Sequence, residues 1–386
     1  MISVSEALTH VFALADPMAP ETIPLREAAG RVLAAPVTAS RAQPPFRASI
    51  MDGYAVAGET SVFHVIGETP AGGTAIDRLA PGQAVRIFTG APVPDGATRV
   101  VIQEDVIREG DQISLKPDAD TSKYIREIGR DFQVGHRIDA PRRITPALVA
   151  LAAAMNAPTI TVARRPKVAF IATGSELVMP GETPDQAQII ASNSFALAAI
   201  AEAEGAEARL LPIARDTRES LEAAFALAAD ADLIVTIGGA SVGDYDLVGT
   251  VAGDLGLDRA FYKIAMRPGK PLIAGRLGRT PMLGLPGNPV SSIVCGHIFM
   301  RPLLRAMQGL PKAPLPERKG SLAVPVGPNG PRAHYMRARL ENGALTVAEH
   351  QDSALLTVLA DANALVVRPP HDPEKSAGDM VSFIEF

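Results

Sequence analysis

Three cations, Lys263, Arg267 and Lys270, fall within eight residues around a stiff Pro268-Gly269 pair. A rigid cationic turn can neutralise a phosphate or another oxyanion, and an arginine can do so through two hydrogen bonds at once. A solvated surface hairpin is the plainer account of such a charge run. The nearby stretch Gly238-Gly239-Ala240-Ser241-Val242-Gly243-Asp244 combines amides able to cradle an anion with the carboxylates Asp244 and Asp246. Carboxylates beside a phosphate suit Mg²⁺, which keeps several waters and shares its ligands with substrate phosphates. A tight turn in which an aspartate caps the next helix would explain the same residues. Two further loops read Thr173-Gly174-Ser175-Glu176 and Leu285-Pro286-Gly287-Asn288-Pro289. In the second, Asn288 is placed to cap a helix whose first position Pro289 would take. Nearer the N-terminus, Asp52 lies on an expected turn, and Thr89 opens Thr89-Gly90-Ala91-Pro92-Val93-Pro94. Asp131 follows Gly129-Arg130. Each of these last three is, alone, ordinary turn chemistry.

The elements around the loops give them a common address. Apolar runs of strand type at 168–172, 233–237 and 282–285 end directly in three of the four loops, and helix-compatible sequence follows. Glycine allows close backbone approach, and a helix N-terminus offers free N–H groups and a positive dipole end. Further segments at 193–204, 208–213, 218–229 and 246–253 continue the alternation of helix and strand. This predicts a doubly wound α/β domain over 166–310, with ligands bound at the carboxyl edge of its sheet. Within it, Leu221, Ala224, Phe225 and Ala228 recur at the spacing of one buried helical face. Segments at 62–66, 84–88, 99–107 and 112–115 predict a β-rich domain over 46–137. Residues 1–45 and 138–165 read as helical. Ser3 and Glu6 form a capping box, a second helix is expected at 25–32, and Thr145-Pro146 opens a third at 145–155. A Pro- and Lys-rich linker at 309–318 leads to an all-β C-terminal domain over 311–386, with strands at 322–326, 336–340, 345–349, 364–367 and 380–386.

Composition removes several function classes. The chain has 386 residues, a net charge of −5 and interspersed acids and bases, which argues against general nucleic-acid binding. Its single cysteine, Cys295, excludes internal disulfides and Cys-based zinc sites, and its apolar surroundings predict a buried structural thiol. The longest apolar run, 147–155, is too short to span a bilayer. Glu6, His10 and Asp16 interrupt any signal peptide, so a cytoplasmic soluble protein is expected. A dinucleotide fingerprint, a P-loop and a nucleophile elbow are all missing.

In this order, the stretches at 44–55, 89–94, 173–177, 238–246, 263–271 and 285–289 resemble the molybdopterin molybdenumtransferases, of the MoeA and gephyrin E-domain type. The resemblance implies a multidomain α/β plus β protomer. Its parts are a helical segment used for dimerisation, a β-rich domain, a molybdopterin-binding α/β domain and a C-terminal β-barrel. It implies a Mg²⁺-dependent reaction in which adenylylated molybdopterin and molybdate give molybdenum cofactor and AMP. The cleft would lie between two subunits of a homodimer, with the molybdopterin adenylyltransferase and acceptor molybdoenzymes as protein partners. Carried over position by position, Asp52, Thr89, Asp131, Glu176, Lys263, Arg267 and Lys270 become catalytic. Thr173, Gly174, Ser175, Asp216, Gly238, Gly239, Ser241, Gly243, Asp244, Pro286, Gly287, Asn288 and Pro289 bind the substrate, and Asp52, Glu176 and Asp246 hold the metal. The chain departs from the family at Arg47-Ala48, where Asp-Asn is usual, and at Ile128 and Arg130, which alter the stretch before Asp131. Ser175 stands for the usual aspartate and Arg267 for a lysine. A non-catalytic molybdopterin-binding or cofactor-delivery paralogue is the alternative those departures raise.

Overall fold

A computed structural model describes residues 1–74, 76–239 and 247–386. Its central sheet has the strand order Glu207–Leu210, Lys167–Ala172, Leu233–Ile237, Thr280–Leu285, Ile273–Leu277, Leu257–Tyr262. The first four strands run parallel, and Ile273–Leu277 is antiparallel to both neighbours. Alternate residues of each buried strand serve opposite faces. Val168, Phe170, Leu233 and Val235 pack with Leu197, Ala201 and the helical run that begins at Pro289. Ala169, Ile171 and Ile234 pack with Leu221, Ala224, Phe225, Ala228, Val248 and Val251. Both faces are therefore covered, which is why the strands read as continuous apolar runs. Each fully buried Phe or Leu contributes roughly 1.5–3 kcal/mol.

From Lys167–Ala172 the chain passes to one neighbouring strand and later to the other, so the order reverses at that strand. Loops diverge there and leave a crevice at the carboxyl edge. One expectation fails at this edge, because no helix starts directly after Thr173-Gly174-Ser175-Glu176. The chain first forms a short parallel pair, Leu177–Val178 with Ile189–Ile190, and the helix Asn193–Ala203 comes only then. The loop after Leu285 behaves as expected in one respect: Pro289 takes the first position of helix Pro289–Cys295. That helix continues through a π-helical turn, Gly296–Met300, into Arg301–Met307.

In the β-rich part, six strands are ordered Arg99–Ile102, Gly53–Val56, Gln83–Ile87, Val62–Thr69, Gln112–Leu115, Val106–Glu109. Gly53 pairs with Ile87 across an antiparallel ladder, so the start of one strand lies beside the end of the next. Ser3 and Glu6 form the expected capping box, and Thr145 caps Pro146–Ala154. The helix expected at 25–32 is instead one 3₁₀ turn, Leu25–Glu27, followed by the strand Val32–Leu33. That strand joins a sheet with Pro20–Pro24, Thr159–Ala163 and Arg142–Arg143, because Leu33 and Ile23 are drawn to a core around Met155 and Ile160. Tertiary burial overrides a local helical preference there.

Towards the C-terminus, Arg318–Leu322, Ala333–Glu341, Ala344–Val347, Ala364–Arg368 and Met380–Glu385 close into a five-stranded barrel. A short helix, Leu356–Ala360, departs from the all-β expectation. A parallel pair, Met266 with Ala333 and Arg267 with His334, links the barrel to the α/β unit, and Tyr335, Leu365 and Ile384 pack into the core of that unit. Among the described residues, no helix is long and apolar enough to cross a membrane.

Candidate functional site

A cleft of about 500 Å³ opens at the carboxyl edge of the central sheet. Thr173, Gly174 and Glu176 form one wall with Asp216, while Gly238, Gly239 and the Pro286–Gly287–Asn288–Pro289 turn form another. Leu177, Ile189 and Ile190 supply an apolar side, and Asn193 and Ser194 bring the start of the first long helix. Close backbone approach, the reason for glycine here, is measurable. A Cβ on Gly238 would sit 2.7 Å from the Thr173 carbonyl oxygen, and one on Gly239 2.2 Å from Val248 Cγ2. On Gly174 it would meet the Glu176 carboxylate at 2.4 Å, so this acid folds back over the loop.

The amides themselves correct the simplest picture of an anion cradle. Gly174 donates to the Ala214 carbonyl at 3.0 Å, and Gly238 to that of Leu285 at 3.0 Å. The Thr173 hydroxyl donates to the Ile237 carbonyl at 3.2 Å. These donors hold the loops in place and are not left facing a ligand. Ser175 and Asp216 clamp one another: the Ser175 amide donates to the carboxylate at 2.9 Å, and the Asp216 amide to the Ser175 hydroxyl at 3.1 Å. A serine oxygen accepts that bond as a carboxylate would. Arg215, which sequence reasoning missed, donates from Nη1 to the carbonyls of Ser175 and Leu177 at 3.0 and 2.9 Å.

A second, basic hollow of about 370 Å³ adjoins the cleft and shares Pro271, Asn288 and Ser291 with it. Arg267, Lys270 and Arg332 line it with Gln351, Asp352 and Ser353. Among the described residues, none of the three cations has a carboxylate within ion-pair distance. The turn between Arg267 and Lys270 rests on Cys295, whose buried Sγ lies 4.0 Å from the Gly269 carbonyl oxygen. Burial pushes that thiol's pKa far up, in keeping with the structural role expected of it. Behind the hollow, burial and then the charges of Arg267, Arg368 and Arg332 push His334 down to about 4, so the ring is neutral near pH 7. Asn288 sits at the N-cap position but does not cap. Its Nδ2 instead donates to Ser353 Oγ at 3.1 Å, tying the turn to the barrel. Arg332 and Ser353 come from a part of the chain with no motif. The polar run His350-Gln351-Asp352-Ser353 in a β-type region was the only signal available.

The remaining predicted residues lie elsewhere. Thr89 donates to Asp52 Oδ1 through both its amide and its hydroxyl, each at 2.7 Å. These bonds, the amide first, hold the exposed Asp52 carboxyl below its ordinary pKa. Asp131 borders a small hollow with Gln43, Pro44, Arg126 and Arg130. Asp52, Thr89 and Asp131 line neither the cleft nor the basic hollow of their own chain. Lys263 lines neither as well. Its ammonium lies 5.0 Å from the Tyr262 ring centroid. Ser241, Gly243, Asp244 and Asp246 lie outside the described residues.

The cleft lies at the carboxyl edge of the sheet with the basic hollow beside it, while Asp52 sits apart on the β-rich domain. Residues 2–156 match the MoeA N-terminal region (domain I and II), and residues 319–386 match the MoeA C-terminal region (domain IV). Residues 169–306 match the family described as "Probable molybdopterin binding domain". Molybdopterin molybdenumtransferase 2 of Mycobacterium tuberculosis H37Rv is 38% identical over 98% of both chains. Molybdopterin molybdenumtransferase of Bacillus subtilis is 32% identical over 95% of this chain and 90% of that protein. A solved structure of the molybdopterin biosynthesis MoeA protein from Pyrococcus horikoshii OT3 covers 100% of both chains with a TM-score of 0.86 at 26% identity. On the match along its whole length, the chain belongs to the molybdopterin molybdenumtransferase family.

Proposed function

We propose that the chain inserts molybdate into adenylylated molybdopterin and releases AMP, in a cleft completed by the β-rich domain of a second copy. The observation that carries this is the shared wall between the two hollows. Pro271, Asn288 and Ser291 face both, so ligands in each would be neighbours. The larger cleft suits an elongated, partly apolar substrate, with Leu177, Ile189 and Ile190 against a planar heterocycle and polar loops around its phosphates. Arg267, Lys270 and Arg332, with the Ser291 and Ser353 hydroxyls, suit a tetrahedral dianion. Such an arrangement works mainly by holding two anions in position and stabilising charge as the phosphate linkage breaks.

Mg²⁺ fits the residue types present, since one or two carboxylates with substrate phosphates suffice for it. Glu176 in the cleft and Asp52 from the second copy would hold it, and when bound it supplies charge neutralisation at the phosphate oxygens. Thr89 keeps Asp52 ionised and aimed. Asp52 and Asp131 lie outside their own chain's cleft, which is why this reading uses a homodimer. Its substrate would come from a molybdopterin adenylyltransferase and its product pass to acceptor molybdoenzymes, both in the cytoplasm.

Purified protein given adenylylated molybdopterin, molybdate and Mg²⁺ should release AMP in a molybdate-dependent way. Asp52→Ala should abolish release with an unchanged thermal midpoint. Tight substrate binding without molybdate-dependent AMP would replace this reading with that of a non-catalytic binding protein.

A further inference from the structure

The turn that carries Asp52 is held from beneath by one side chain that no motif singled out. Arg86 lies on Gln83–Ile87, directly opposite Tyr54 in the antiparallel ladder. Its Nη1 donates to the Gly53 carbonyl at 3.1 Å, one residue after Asp52. Its Nη2 donates to Gln103 Oε1 at 2.6 Å, and the backbone N–H of Gln103 donates to the Asp52 carbonyl at 3.1 Å. The guanidinium carbon also lies 5.1 Å from the Tyr54 ring centroid and 4.9 Å from that of Phe88, the residue before Thr89. Both partners of the Asp52–Thr89 pair are thus braced through backbone neighbours by one planar group. An arginine can do this because its donors fork in a fixed plane while its faces stack on aromatic rings. A lysine has a single head and no stacking plane.

We propose that Arg86 is a positioning residue for the reaction, fixing the Asp52 turn against the strand end that carries Thr89. It lines neither the cleft nor the basic hollow of its own chain, and it acts on Asp52 through that turn and, as the lesser cause after the Thr89 bonds, through its charge, which favours the ionised carboxyl. The inference rests on the proposed role of Asp52. A mere structural role would lower stability and leave the folded enzyme's turnover intact. A positioning role lowers kcat and leaves substrate affinity alone, because the walls of the cleft belong to another domain. Misplacing a reacting group by about 1 Å can cost on the order of 100-fold in rate.

The test is steady-state AMP release by the full chain, with thermal melting and AMP binding measured alongside. Arg86→Met should lower kcat by roughly 10- to 100-fold, with KM for adenylylated molybdopterin and AMP affinity within about twofold of the parent. Arg86→Lys should recover part of the loss. Gln103→Ala, which removes one exposed contact, should lower kcat by a few-fold and serves if Arg86→Met does not fold. Parent-like kcat in folded Arg86→Met, or in Gln103→Ala where the former does not fold, overturns the inference. So does a loss that disappears after correction for the folded fraction. If Asp52→Ala is inactive while Arg86→Met is normal, only this inference fails. Normal turnover in Asp52→Ala removes both.

Discussion

At the scale of single residues, the basic hollow depends on a position with no functional group. Gly269 has φ +103°, and a Cβ there would sit 2.4 Å from the buried Cys295 Sγ. Gly269→Ala therefore meets both backbone strain and overpacking, together about 2–6 kcal/mol. The expected outcome is a lower thermal midpoint and a raised KM for molybdate, since Arg267 and Lys270 flank the turn. Cys295→Ala in the same chain should relieve the steric part only, and an unchanged midpoint in Gly269→Ala would contradict the account. The cations and Gly269 were legible in the sequence as one stiff turn. Cys295 was legible as structural, but not as the floor of that turn, because contacts between residues 26 apart leave no local pattern. Glycine was read correctly as permitting close approach, yet the amides of Gly174 and Gly238 are already bonded to the Ala214 and Leu285 carbonyls. Sequence reveals that a backbone comes close, but not to what.

Elements follow the same division. Apolar runs, the Ser3 and Thr145 caps and the Pro289 helix start were readable because they rest on local periodicity and capping chemistry. Misread were the 25–32 segment, drawn into a sheet, and the first loop, where a short strand pair intervenes before the helix. The π-helical turn Gly296–Met300 was also invisible, and it carries a testable group. His297 Nδ1 lies 3.2 Å from Arg301 Nη1, and its ring centroid is 4.8 Å from that of Phe386. Burial, then the Arg301 charge, pushes its pKa from 6.5 to about 4 against the opposing pull of Glu204. The unfolded chain therefore binds a proton that the folded chain refuses. Stability present above pH 6.5 should fall as pH drops through that value towards 4, by on the order of 3 kcal/mol. Thermal midpoints recorded across this window should fall more steeply for the parent than for His297→Gln. Parallel slopes would show that the ring does not titrate as described.

For the whole molecule, what could not be read from one chain matters most. The loops at 173–176 and 285–289 were placed at strand ends of the α/β unit and Asp52 and Thr89 in the β-rich domain, but the basic hollow was not foreseen. Ser353 and Arg332 could not be placed in it, since a barrel strand and loop bring them to the α/β unit only after both have folded. Nor does one protomer unite its own Asp52 with its own Glu176: the aspartate is outside the cleft that the glutamate lines. If two copies share each site, Asp52→Ala and Glu176→Gln damage opposite halves of it. Each variant alone should release no molybdate-dependent AMP. Mixed and allowed to exchange subunits, the two should regain activity, because a heterodimer carries one site with both residues intact. A mixture as inactive as its components, despite proven exchange, would contradict the shared cleft on which the account depends.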